Sequence, residues 1–111
     1  MKKLTIFTMA LLLAGTVSLR AADAKENYDK NCAKCHGEDG KGKTKMGEKL
    51  GVKDYTDAKV QADFKDDQMA KAIKEGIKEK GTDKIQMKAF GEVLSDDEIK
   101  ALVGYVRAFK K

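Results

Sequence analysis

The 111-residue sequence has no proline, no tryptophan, one histidine and two cysteines, and only 6% of it is aromatic. Two cysteines exclude a disulfide-dense scaffold, and the lack of proline excludes a collagen-like repeat. One histidine excludes any site that draws two imidazoles from a single chain. The chain is long enough for one domain, yet 37% of it is charged, so core-forming side chains are scarce. Something other than side chains is expected to help fill the interior.

What is present begins with an export pattern. Lys2 and Lys3 precede an uncharged stretch from Leu4 to Leu19, 16 residues that Arg20 closes. A spanning helix needs about 20 apolar residues, so the stretch reads as a secretory signal rather than a membrane anchor. Ala22-Asp23-Ala24 supplies a small-x-small cleavage pattern, which divides the chain into a signal peptide at 1–24 and one domain at 25–111. Leu12-Leu13-Ala14-Gly15 is followed by Thr16 where a lipoprotein signal carries cysteine, so no lipid anchor is expected. Removing 1–24 takes away Lys2, Lys3, Arg20 and Asp23, and the formal charge falls from +5 to +3. Lysines interleaved with Asp and Glu on the remainder argue against a nucleic-acid partner.

The domain has few strand formers and no sustained alternation, so helices should dominate. Ser95 with Glu98 forms a capping box, and Ile99, Leu102, Val103, Val106 and Phe109 follow at helical spacing. An earlier helix is predicted over about Lys25–Ala33, with Tyr28 and Cys32 on one face. A third, over Asp66–Lys78, aligns Met69, Ile73 and Ile77. A minor helix over Asp57–Phe64 starts at Thr56 or Asp57. Gly37–Gly51, with five glycines, and Lys80–Gly91 read as loops.

Cys32-Ala33-Lys34-Cys35-His36 is C-x-x-C-H, the attachment pattern of a c-type haem. Two cysteines three apart at a helix end can reach the two vinyl groups of one porphyrin edge, and the following histidine then meets the iron as proximal ligand. A thioredoxin-like dithiol is the first competitor, but no β-α-β pattern exists to host it. A zinc site is the second, and two cysteines plus one histidine fall one ligand short. Haem c, one and covalently attached, also answers the shortage of core, because folding and attachment become coupled.

Asn31-Cys32-Ala33-Lys34-Cys35-His36-Gly37, then Asp39-Gly40-Lys41-Gly42, Gly47-x-x-Leu50, Met87-Lys88-Ala89-Phe90 and Leu94–Ile99 running into Tyr105-Val106-Arg107, resemble the small class I bacterial cytochromes c. The resemblance covers nearly all of residues 25–111. It implies an all-α fold, the class I cytochrome c fold, in which the N- and C-terminal helices cross and the haem lies in a crevice with one edge exposed. It also implies that the carbonyl of Glu48 orients the proximal His36. Glu48 and Lys88 stand where the family commonly has proline, which bears on loop rigidity rather than on ligation.

Without a second histidine, the sixth iron ligand is a methionine, a lysine, or nothing. Met1 and Met9 leave with the signal. Met69 shares an apolar helix face with Ile73 and Ile77, which suits core packing, and Met46 lies only ten residues beyond His36. Met87 lies 51 residues beyond His36, far enough to reach the opposite face, and begins the family's Met-x-x-Phe pattern. Cys32, Cys35, His36 and Met87 are thus the cofactor-binding set, with His36 and Met87 on the iron.

Two axial ligands make an electron shuttle rather than an enzyme, since oxygen activation needs an open position. The expected protein is a monomeric, periplasmic one-electron carrier between larger donor and acceptor proteins that dock at the haem edge, without a stable membrane anchor. Lys41, Lys43, Lys45, Lys49, Lys84 and Lys88 would steer acidic partners there, or simply solvate loops that also hold Glu38, Asp39 and Glu48. Tyr28, Gly104 and Tyr105 are assigned to the helix crossing, and Ile85 and Phe90 to the haem surroundings or, equally simply, to ordinary core. If Met87 does not bind, the alternative is a haem enzyme or gas-binding sensor with an open distal site.

Overall fold

The computed structural model describes residues 16–111, with side chains from Asp23 onward. Most of the expected signal peptide at 1–24 lies outside the described residues. Six helices and one short hairpin follow in order: α1 Thr16–Asn31, α2 Ala33–His36, α3 Lys45–Leu50, α4 Ala58–Ala62, α5 Asp66–Glu75, β1 Ile77–Lys78, β2 Ile85–Met87 and α6 Asp96–Arg107. None of these helices is long and apolar enough to cross a membrane.

The two long terminal helices build the frame. α6 begins at a complete capping box, in which Ser95 Oγ accepts the Glu98 N–H at 3.1 Å and Glu98 Oε1 accepts the Ser95 N–H at 3.0 Å. Its apolar stripe, Ile99, Leu102 and Val103, is buried, and the helix packs chiefly on α1 and next on α5. Tyr28 from α1 completes the crossing at 1% exposure, its ring 4.9 Å from that of Tyr105 and 5.3 Å from that of Phe109. Gly104 does not share that role. It is exposed, and a Cβ built on it meets nothing within 4 Å among the described residues. The aromatic rings pack at the crossing, and Gly104 lies off the contact.

One cluster forms the core: Tyr28 and Cys32 from the first helical arm, Met69 and Ile73 from α5, Phe90 and Leu94 from the following loop, and Ile99, Leu102 and Val103 from α6. α5 ends earlier than its apolar spacing suggests. Gly76 adopts φ +78°, a conformation that suits glycine, and its N–H caps Ala72 O at 2.8 Å. Ile77 therefore leaves the face of Met69 and Ile73, is 42% exposed, and pairs with Met87 across the antiparallel hairpin. That hairpin replaces part of the expected loop, and α3 occupies the end of the glycine-rich one.

Behind this frame, α4 and α6 are joined by one polar knot. Gln61 is buried and donates through Nε2 to Tyr55 O at 2.6 Å and Val106 O at 2.9 Å. Arg107 donates to Gln61 O, to Phe64 O and to Asp66 Oδ1. Every amide and guanidinium group here finds a partner, as buried polar groups must.

Candidate functional site

α1 continues by backbone hydrogen bonding into the cysteine turn. The Cys32 N–H donates to Tyr28 O at 2.8 Å, and Cys32 O accepts from the Cys35 N–H at 3.2 Å and the His36 N–H at 2.9 Å. Cys32 and Cys35 are one helical turn apart and so share a face. Both are free thiols; Cys32 is buried in the core cluster and Cys35 is half-buried. Burial, with the neighbouring Cys35 adding to it, pushes the Cys32 thiol up to about 11. A dithiol built for redox exchange carries a lowered thiol instead, so Cys32 is not an activated nucleophile.

His36 closes the turn. Burial holds its imidazole below the usual histidine range, hence neutral, which is the form that donates a lone pair to a metal. Its Nδ1 is buried without a hydrogen-bond partner among the described residues. The expected partner, the carbonyl of Glu48, does not take it up: Glu48 lies inside α3, and its carbonyl accepts the N–H of Gly51 at the helix end. The Tyr55 ring lies 5.6 Å from the imidazole, tilted by 44°, and Tyr55 is itself tied to Gly40 O by its N–H at 2.8 Å.

Three successive carbonyls of the turn are each occupied from elsewhere. Cys35 O accepts the Thr44 hydroxyl at 2.8 Å, His36 O accepts the Gly42 N–H at 2.8 Å, and Gly37 O accepts the Tyr28 hydroxyl at 2.6 Å. Thr44 Oγ1 also accepts the Gly47 N–H at 2.8 Å, which caps α3. Gly47 has to be glycine, since a Cβ there would overlap both Cys35 O and Gly42 O. Sequence reasoning passed over Thr44. Its signal, a β-region hydroxyl residue three before Gly47 at a helix start, is weak on its own.

Met87 lies on β2, half-buried and packed against the core cluster that contains Cys32. Met69 is inside that cluster, and Met46 on α3 is 38% exposed. Beside Met87, Ile77 and Ile85 are exposed, Ile85 at 60%. Phe90 is buried in the core. Of the six lysines expected near the site, Lys43, Lys45, Lys49, Lys84 and Lys88 are exposed and Lys41 is half-buried.

These donors suit one kind of group. Two free thiols on one helical face, a half-buried imidazole with a buried, unpaired Nδ1, a thioether on the margin of the same core and uncovered isoleucines beside it fit an apolar macrocycle bearing a soft metal-ligand requirement.

Comparison with known proteins agrees. The family model described as cytochrome c oxidase, cbb3-type, subunit III matches residues 19–106. Among solved structures, the KustC0563 c-type cytochrome is similar at 40% identity with a TM-score of 0.71, over 80% of this chain and 99% of that one. A tyrosine-to-phenylalanine mutant of that cytochrome is similar at 38% identity with a TM-score of 0.65, over 79% and 99% of the two chains. No curated protein sequence matches.

Proposed function

The chain belongs to the small monohaem class I cytochromes c, with the all-α fold and the covalently attached haem c of that family, and from this premise we propose that it is an exported one-electron carrier with His36/Met87 axial ligation. An electron-carrying role belongs to the family; the export, the ligands and the partners are the reading put forward here. When bound, haem c supplies an iron centre that exchanges one electron. Cys32 and Cys35 hold it through thioethers, and His36 offers a neutral imidazole to the iron. Met87 offers a thioether, a soft donor that favours the ferrous state and raises the reduction potential. With both axial positions filled by residues of this chain, neither substrate nor oxygen finds an open site, so the protein acts as a carrier and not an enzyme. Residues 25–111 form the working domain, 1–24 direct it to the periplasm, and it meets larger donor and acceptor proteins as a monomer.

The observation that carries the reading is that Met87 packs against the same apolar cluster that contains Cys32, while Met69 is inside that cluster and Met46 is 38% exposed. Carbon monoxide tests it. The reduced protein should bind the gas slowly and incompletely, and Met87→Ala should bind it rapidly with a lowered potential, whereas Met46→Ala should do neither. Rapid, complete binding by the unmodified protein would establish the open-site haem enzyme or gas sensor instead.

A further inference from the structure

The imidazole of a metal-binding histidine is ordinarily oriented through its second nitrogen, by a hydrogen bond to a carbonyl or carboxylate. For His36, no partner of Nδ1 is found among the described residues. Its backbone, in contrast, is held at three consecutive points: Thr44 Oγ1 on Cys35 O, the Gly42 N–H on His36 O and Tyr28 Oη on Gly37 O. The two side-chain clamps come from opposite flanks, one from α1 and one from the N-cap of α3. Both are supported: Tyr28 is 1% exposed between Tyr105 and Phe109, and Thr44 is fixed by its second bond from the Gly47 N–H.

We propose that Tyr28 and Thr44 are positioning residues for His36, whose hydroxyls fix the Cys35–Gly37 backbone and thereby set the rotation of the imidazole about its bond to the haem iron. The physical step is short. The χ angles of the ring start from its own peptide, so a peptide held in place helps to fix the direction of the ring. Removing either hydroxyl leaves a turn carbonyl without its side-chain donor and lets the peptide plane rock. The inference rests on the reading that Cys32, Cys35 and His36 hold haem.

The test uses the full holoprotein and the variants Tyr28→Phe, Thr44→Val and Thr44→Ser. Ser95→Ala serves as a control that loses a hydroxyl cap on α6, away from the turn. Each variant is checked for covalent haem by mass, for thermal stability, for reduction potential, and for the spread of the haem-methyl proton resonances in the ferric state, which reports axial-ring orientation. Expected are full haem mass throughout, a shifted methyl pattern and potential in Tyr28→Phe and Thr44→Val, and return to the parent pattern in Thr44→Ser. Ser95→Ala should lose stability with its methyl pattern unshifted. Unshifted patterns in Tyr28→Phe and Thr44→Val, or an equal shift in Ser95→Ala, overturn the proposal while leaving the haem reading intact. Absence of covalent haem from the parent protein overturns both. If Thr44→Val does not accumulate, Tyr28→Phe alone decides, because its ring packing is retained.

Discussion

The two sides of the site are built to different standards. On the side of the cysteines, the turn is the continuation of a long helix, three of its carbonyls are occupied from separate segments, and its neighbouring core is aromatic. On the side of Met87, the support is a hairpin of two and three residues with a register irregularity, flanked by exposed isoleucines. Short two-stranded ribbons are marginal by themselves. The difference teaches that the cysteine turn is tied down by the chain's own hydrogen bonds, while the arm of Met87 borrows its order from what it packs against.

The largest effect should come from removing the group both sides share. Replacing both Cys32 and Cys35 with alanine should abolish covalent haem and leave a chain with little of its helical circular dichroism, because the apolar side chains are too few to fold it alone. Retention of cooperative, parent-like melting by that double variant would show the proximal frame to be self-sufficient and would sharpen the contrast further.

Matched glycine substitutions can break the two sides separately. Gly47→Ala forces a Cβ against Cys35 O and Gly42 O, both backbone, and should cost at least the ~1–3 kcal/mol of an overpacked interior while lowering the yield of haem-loaded protein. Gly76→Ala places a Cβ 2.6 Å from Met87 O and 2.8 Å from Ala89 N, at a φ of +78°. It should leave haem attached but loosen the distal arm, read as faster carbon monoxide binding. If Gly47→Ala opened the iron and Gly76→Ala did not, the comparison would be inverted.

A smaller and more local loss is expected at the boundary between the sides. Met69 is 9% exposed in the core cluster, and Met69→Ala should destabilise by about 2–5 kcal/mol in chemical unfolding with the iron's ligation and potential nearly unchanged. A collapse of the potential would instead make Met69 part of the distal side.

Legibility in the sequence follows the same division. The Ser95–Glu98 box and the stripe Ile99, Leu102, Val103 were readable because helix starts and periodicity are local signals, and so was the C-x-x-C-H turn. The hairpin was not, since two pairs are too few to carry an alternation, and Gly76 ended α5 before Ile77 by a backbone preference that apolar spacing does not register. A mid-helix glycine suggests close packing, but Gly104 lies on an open face of α6, and Tyr28, Tyr105 and Phe109 pack at the crossing instead. Thr44 and the Tyr28 hydroxyl were invisible for another reason: their partners are backbone carbonyls nine residues away, which no side-chain pattern announces.

The smallest predicted effect probes what joins α1, the support of the cysteine turn, to α6. Asn27 Nδ2 donates to Glu98 Oε2 at 2.9 Å, and the Ser95 N–H donates to Glu98 Oε1 at 3.0 Å. These bonds, the one from Ser95 first, hold the Glu98 carboxyl below its ordinary value of 4.5. A carboxyl lowered on folding stabilises fully above its unfolded value, and the contribution disappears as pH falls through the lower folded one. Thermal unfolding should therefore be insensitive to this group at neutral pH and lose stability on entering the acid range. Glu98→Gln should be slightly less stable than the parent at neutral pH, with the gap closing in acid as the parent's carboxylate is protonated. The hairpin has no such bonded carboxylate among its described hydrogen bonds, so acid should loosen the α1–α6 crossing, followed by amide exchange in α1, before it loosens the hairpin that carries Met87. A gap that stayed constant with pH would assign the bond between the helices to the amide-compatible geometry alone, and the charge on Glu98 would have no part in holding the proximal frame.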